Sequence, residues 1–89
     1  MDVARLRTLR ELALRQTMAA VAEALRVSPS AVSQQIAQLE TEAGLQLIER
    51  RGRRVRLTQA GQRLVSHAER VIAALEEAGP WPRPVPAPA

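Results

Sequence analysis

Five arginines lie within seven residues of this chain, Arg50, Arg51, Arg53, Arg54 and Arg56, with no acid among them after Glu49. A guanidinium is a planar fork that stays charged and pairs bidentately with phosphate oxygens or with the O6/N7 edge of guanine. The run therefore offers anion recognition, and its surroundings give it shape. Apolar Ile48 precedes it, Val55 and Leu57 interleave with its end, and Gly52 stands where the chain must reverse. That pattern predicts two short strands, one on the Ile48 side and one over Val55–Leu57. Arg51-Gly52-Arg53 would join them as a tight turn in which glycine supplies positive φ. The product is a small β-ribbon with positive charge concentrated at its tip. A basic run alone is often only a solvated face or a tail, so what precedes it decides its meaning.

A second group of chemistry-bearing residues lies upstream. Ser30, Ser33, Gln34, Ala37, Gln38 and Thr41 recur at helical spacing and form a face that is short, polar and almost uncharged. Hydroxyls and amides donate and accept hydrogen bonds at close range. A merely solvated helix face usually carries more charge, so this one suits a surface that fits against something.

Other chemistries find no residues to carry them. There is no cysteine, which excludes disulfides, thiolate metal sites and cysteine nucleophiles. His67 is the one histidine, with Glu69 its nearest acid, too few ligands for a metal. No paired carboxylates, nucleophile–base pair or phosphate-cradling glycine loop can be assembled, so neither an enzyme nor a cofactor is expected. No apolar run approaches the roughly 20 residues of a membrane span, and no secretory h-region opens the chain. A soluble intracellular protein with no membrane partner is expected.

The 89 residues have room for one small domain and a tail. Trp81 is the only aromatic, so Leu, Val, Ile, Ala and Met must build the core. The formal charge is +4, and every basic side chain is arginine. The first helix is predicted over about Asp2–Arg15, with Asp2 able to cap its positive N-terminus and Leu6, Leu9, Leu12 and Ala13 on one face. Thr17 reads as the N-cap of a second helix, Met18–Leu25, packed through Met18, Val21, Ala22 and Leu25. Arg26-Val27 is a short connection. Ser28 then caps a third helix, Pro29 takes its first position, and the helix ends at Ala43 before Gly44. Its buried stripe is Val32, Ile36, Leu39 and Ala43.

Two short helices joined by a tight turn, the second led by Ser-Pro, fit a helix-turn-helix, which lays its second helix in the DNA major groove. With the basic ribbon immediately after it, DNA binding outweighs an ordinary helical hairpin. Thr58 caps a fourth helix, Gln59–Glu77, stopped by Gly79-Pro80. Val65, Ala68, Ile72 and Leu75 give it a heptad-like seam, widened by Leu64 and Val71. About 19 residues span roughly 28 Å, more than so small a core needs, so part of this seam is expected to meet a second copy. From Pro80 onward the chain is nearly half proline and reads as an extended linker or tail.

The order of elements and the residues Ser28-Pro29-Ser30-Ala31-Val32-Ser33-Gln34-Gln35-Ile36, Leu39-Glu40, Gly44, Leu47-Ile48-Glu49-Arg50, Gly52-Arg53-Arg54-Val55-Arg56-Leu57-Thr58 and Ala60-Gly61 resemble the N-terminal domain of LysR-type transcriptional regulators. The likeness covers about residues 3 to 78. It implies a mainly α fold, a winged helix-turn-helix with a three-helix core and a short two-stranded β wing over residues 1–58. A linker and dimerisation helix follows over 59–78, and a Pro-rich tail or hinge over 79–89.

By the same resemblance the partner is double-stranded DNA, with an interrupted palindrome as operator, in the bacterial cytoplasm at the nucleoid. The expected DNA contacts are Thr17 at the start of the second helix, Ser28, Pro29, Ser30, Ser33, Gln34 and Gln38 on the third, and Arg51, Arg53 and Arg54 on the wing. The expected homodimer interface is Leu64, Val65, Ala68, Val71, Ile72 and Leu75. Glu40 and Arg50 match positions that look structural. Family members normally continue into a sensor domain of two α/β lobes that binds a small molecule and sets oligomer geometry. These 89 residues offer no such effector site, and a higher oligomer would need that domain.

This chain departs from the family's pattern in places. Gln34 stands where arginine is common, which makes glutamine–adenine pairing the geometric alternative to guanine readout. Gln16 stands where a glycine is usual, and Leu9, Met18 and Ile48 replace phenylalanines. The reading from another class is a winged-helix module whose arginines meet an acidic protein.

Overall fold

The computed structural model describes residues 2–77, so the Pro-rich tail and Trp81 lie outside the described residues. Its elements are α1 (Val3–Arg15), α2 (Met18–Leu25), α3 (Pro29–Ala43), β1 (Ile48–Arg51), β2 (Arg54–Leu57) and α4 (Gln59–Glu77). The helix starts follow from capping side chains. Asp2 accepts from the Ala4 N–H at 2.8 Å, Thr17 from Ala20 at 3.1 Å, Ser28 from Ala31 at 3.1 Å and Thr58 from Gly61 at 3.1 Å. Each supplies an acceptor to a donor that the helix itself leaves unpaired. Asp2 takes the capping role its place at the helix start allowed, and the helix proper begins at Val3.

One core joins all six elements. Leu6, Leu9 and Leu12 of α1, Val21 and Ala22 of α2, and Val32, Ile36 and Leu39 of α3 are buried together. Leu47, Ile48 and Val55 add the base of the ribbon, and Val65 and Ala68 add α4. Met18 and Leu25 pack at the edge, and Ala13 and Ala43 are half-buried. Thr8 is the buried polar exception. Its hydroxyl lies 3.0 Å from the Ala4 carbonyl and 2.6 Å from the Gln35 side-chain amide. One hydroxyl proton cannot serve both acceptors. The shorter contact sets the donation: Thr8 donates to the Gln35 amide oxygen, and the Ala4 carbonyl lies beside it as the second acceptor.

The fourth helix corrects an expectation. Val65, Ala68 and Ile72, placed by the sequence on a seam between subunits, are 8%, 1% and 1% exposed within their own chain. Alpha-helix α4 packs along α1, because three short helices cannot enclose a core without it. Leu64 and Leu75 are only half-buried, and Val71 is 45% exposed.

Two backbone positions carry constraint. Gln16 caps α1 in the left-handed region at φ 66°, a conformation that costs a residue with a Cβ about 1–2 kcal/mol. Arg26, in the turn between α2 and α3, does the same at φ 57°. Gln16 is held there because its carbonyl accepts from the Val55 N–H at 2.7 Å, tying the end of α1 to the wing. Gly61 faces the opposite problem, since a Cβ there would sit 2.2 Å from the Leu47 carbonyl oxygen. Two substitutions should therefore move stability in opposite directions. Gln16→Gly should raise it by about 0.5–1 kcal/mol, the relief of strain less the entropy of glycine. Gly61→Ala should lower it by about 1–3 kcal/mol through overpacking. Thermal melts of the two variants check the pair; a Gly61→Ala protein as stable as the parent would refute the contact.

Candidate nucleic-acid interface

The third helix presents its N-terminal end to solvent. Ser28 holds the Ala31 N–H, Pro29 has none, and the first intrahelical bond runs from Val32 to the Ser28 carbonyl at 3.2 Å. The Ser30 N–H has no partner among the described residues, at the positive end of the helix dipole, an arrangement suited to a phosphate. Ser30, Gln34 and Gln38 are exposed, and their side chains make no intramolecular hydrogen bond among the described residues. Val32, Ile36 and Leu39 anchor the opposite face in the core. The exposed face therefore rests on a fixed backbone with its amide and hydroxyl groups unengaged.

The wing is set by its register. Ile48 pairs with Leu57, Glu49 with Arg56, Arg50 with Val55 and Arg51 with Arg54. Alternation then puts Ile48, Arg50, Val55 and Leu57 on the face toward the core and Glu49, Arg51, Arg54 and Arg56 on the other. The turn is Gly52-Arg53 alone, closed by the Arg51–Arg54 pair. Gly52 has φ 60° and Arg53 is not in the positive region, the pattern of a II′ hairpin turn. Two arginines directly opposite one another repel by up to about 1 kcal/mol. The ribbon tip thus holds a charge arrangement that an anion would relieve.

Helix and wing meet at one polar contact. The Arg50 guanidinium donates to the Ser33 hydroxyl at 2.8 Å across a cleft lined by Ile36, Ala37, Glu40 and Gln46. Ser33 was expected to be a free groove contact, and the structure gives it a partner. Below this contact Glu40 accepts from the Leu47 N–H at 2.8 Å, so the structural reading of Glu40 and Arg50 has a definite form. At the other edge Arg5, ion-paired with Glu42, lines a hollow with Gln34, Ala37, Gln38 and Thr41.

The structure thus gathers Ser28, Pro29, Ser30, Ser33, Gln34 and Gln38 on one helix surface and Arg51, Arg53 and Arg54 on the exposed tip beyond it. Thr17 is half-buried at the start of α2 with its oxygen used as a cap. Sequence reading missed Arg5 and the tie between Ser33 and Arg50. Arg5 and Glu42 are 37 residues apart, and no local pattern announces such a pair.

The family model described as the bacterial regulatory helix-turn-helix protein, lysR family, matches residues 3–62. The chain belongs to the LysR family. It is 42% identical over 74 residues to a probable hydrogen peroxide-inducible genes activator of Mycobacterium xenopi, covering 83% of this chain and 39% of that protein. A probable RuBisCO transcriptional regulator of Nostoc sp. is 38% identical over 72 residues, covering 81% of this chain and 21% of the relative. The chain therefore spans well under half the length of these curated relatives.

Among solved structures, the CbnR DNA-binding domain in complex with DNA aligns with TM-score 0.84 at 32% identity, covering 89% of this chain and 91% of that one. The BenM DNA-binding domain with benA site 1 DNA aligns with TM-score 0.82 at 28% identity, covering 88% of this chain and 91% of that one. The LysR-family winged helix is thus the fold of this chain.

Repulsion across the wing tip should be measurable without DNA. Raising sodium chloride from about 10 mM to about 150 mM shortens the screening length and should raise the melting temperature of the free protein. Arg54→Thr should reduce that rise, while Arg63→Gln, the same change in charge placed on α4, should keep it. Equal salt dependence in all three proteins would mean that Arg51 and Arg54 do not confront one another.

Proposed function

We propose that this chain is the DNA-reading module of a LysR-type bacterial transcription regulator and binds double-stranded DNA sequence-specifically as a homodimer. The observation that carries this reading is the exposed face of α3, where Ser30, Gln34 and Gln38 have no side-chain partner among the described residues, flanked by a ribbon tip with three exposed arginines. Alpha-helix α3 enters the major groove with Ser30, Ser33, Gln34 and Gln38 toward base edges and the Ser28 end toward a phosphate. Arg51, Arg53 and Arg54 lie on the backbone or minor groove beside it and supply affinity common to all sequences. Thr17 adds a backbone contact at the start of α2. Binding, not catalysis, is the activity, exercised at the nucleoid in the cytoplasm. No helix among the described residues is long and apolar enough to cross a membrane.

The dimer forms through the stripe of α4 that its own subunit leaves uncovered, Leu64, Val71 and Leu75. Two modules joined in this way present two recognition helices to one face of the duplex, which calls for an interrupted palindrome with half-sites spaced by whole helical turns of roughly 34 Å.

Three measurements test the reading. Replacing Arg53 and Arg54 together with alanine should weaken binding to every duplex alike. The slope of log affinity against log salt should become shallower by about one to two units. A slope that stays the same, or a complex insensitive to salt, would take the wing off the DNA and favour a protein partner. Gln34→Ala should relax preference at one base position in each half-site, by about 1–3 kcal/mol against the wrong base. Selection of bound sequences from random duplexes at a single salt concentration reads this out; identical motifs from both proteins would remove Gln34 from the readout.

Association is tested at Val71, because Ile72 is buried in its own core and a charge there would test folding. Val71→Glu should convert a dimer to a monomer in light scattering while leaving the melting temperature nearly unchanged. A monomeric parent at high micromolar concentration would end the two-half-site arrangement.

A further inference from the structure

We propose that Arg50 is a positioning residue that orients the Ser33 hydroxyl to donate a hydrogen bond toward DNA. The inference rests on the DNA-reading function above and assigns a role within that surface. A serine hydroxyl has one proton and two lone pairs and rotates freely about its Cβ–Oγ bond, so alone it donates or accepts as its surroundings require. Hydroxyls inside helices usually give their proton to the carbonyl four residues back. Thr41 does so at 3.0 Å, whereas Ser33 makes no such bond to its own helix among the described residues.

Its recorded bond is the one it accepts from Arg50 at 2.8 Å, a charge-assisted contact. The cationic N–H fills a lone pair from the ribbon side and repels the hydroxyl proton to the far side. The proton that remains points away from the wing and is unassigned within the subunit. Ser33 so held aims its proton outward with one lone pair left, so an acceptor on DNA is the partner that uses the proton.

Arg50 is suited to this role by its place in the ribbon. It pairs with Val55, shares the core-facing side with Ile48, and has no carboxylate within ion-pair distance among the described residues. Glu40, which lines the same cleft, is engaged by the Leu47 N–H at 2.8 Å. Both ends of the contact are anchored, one by buried Val32 and Ile36 and the other by buried Ile48 and Val55. The acceptor on DNA is an oxygen or nitrogen lone pair, from either a base edge in the major groove (guanine O6 or N7, thymine O4, adenine N7) or a backbone phosphate.

A double-mutant cycle separates positioning from independent contact. Ser33→Ala, Arg50→Ala and the double variant are compared with the parent by fluorescence anisotropy on the selected duplex and on variants of it, with thermal melts confirming folded protein. Each single substitution should lose roughly fivefold to tenfold in affinity for the selected duplex, the range for one hydrogen bond. The double variant should lose no more than either single.

If the acceptor is a base edge, the losses vanish on duplexes altered at one position per half-site. If it is a phosphate, every sequence loses alike, and a neutral methylphosphonate at one backbone position erases the difference between the parent and Ser33→Ala. Both patterns uphold the assignment. Losses that multiply in the double variant, or a loss from Arg50→Ala with none from Ser33→Ala, would overturn it and leave Arg50 an ordinary phosphate contact or a structural residue. A parent that binds no duplex would refute the DNA-reading function itself, an outcome visible before any variant is compared.

Discussion

The peptide groups on either side of Leu47 hold the reading helix, the wing and the fourth helix in one arrangement. The Leu47 N–H is taken by the Glu40 carboxylate at 2.8 Å, and its carbonyl accepts from the Thr58 N–H at 2.9 Å. The Thr58 hydroxyl returns to the Gln46 carbonyl at 2.6 Å and also accepts from the Gly61 N–H that begins α4. Gly61 lies against the Leu47 carbonyl so closely that no side chain fits. The Leu47 side chain is 1% exposed in the core. A buried backbone group without a partner is costly, so the carboxylate and hydroxyl that satisfy these peptides also fix where the ribbon leaves α3. The distance from the recognition helix to the arginine tip follows from this junction.

Most of the fold was legible because its punctuation is local. Thr17, Ser28-Pro29, Gly44 and Thr58 mark helix ends by chemistry that acts within three or four residues, and the observed helices begin and end there. Gly52 between two apolar-flanked runs marked the hairpin in the same way, although the turn proved to be Gly52-Arg53, with Arg51 and Arg54 as the closing pair. The candidate surface was readable as residue types, since small polar groups opposite Val32 and Ile36 follow from helical period alone. What a residue touches across the fold was not readable. The Ser33–Arg50 contact spans 17 residues and the Thr8–Gln35 contact 27, and each depends on tertiary distances that no periodicity encodes. Arg26 was read as a plain connection; its left-handed backbone is imposed by the turn geometry against the preference of its side chain.

These long-range contacts also separate residues that look alike in the sequence. Gln34 and Gln35 are neighbours of one type, yet Gln34 is exposed without a partner, while Gln35 points toward Thr8 at the α1–α3 contact. Arg50 and Arg51 are likewise adjacent, and strand alternation turns the first toward α3 and the second to the far face. The five arginines are therefore not a uniform patch. Arg50 is bonded to the recognition helix, Arg56 faces Glu49, and Arg51, Arg53 and Arg54 are left at the tip with nothing acidic opposite them. Charge available to an external anion is concentrated in those three.

The fourth helix shows why a heptad-like pattern did not identify its own partner. Leu64 and Val65 are adjacent, as are Val71 and Ile72, so two stripes one residue apart share the same spacing and merge into a single broad apolar arc. Periodicity measures the width of such an arc and says nothing about which edge faces inward. The structure divides it by side-chain volume and by the needs of the core. Ala68, at 1% exposure, is small enough to let α4 approach α1; Val65 joins it in the core with the leucines of α1, and Ile72 is 1% exposed. A domain this small cannot complete its core from three short helices, so the inner edge is committed to folding before any second copy arrives. The narrower outer edge around Val71, which is 45% exposed, stays open. Under the proposed dimer, folding and assembly would use neighbouring residues of one helix, with a change at Ile72 acting on the first process and a change at Val71 on the second.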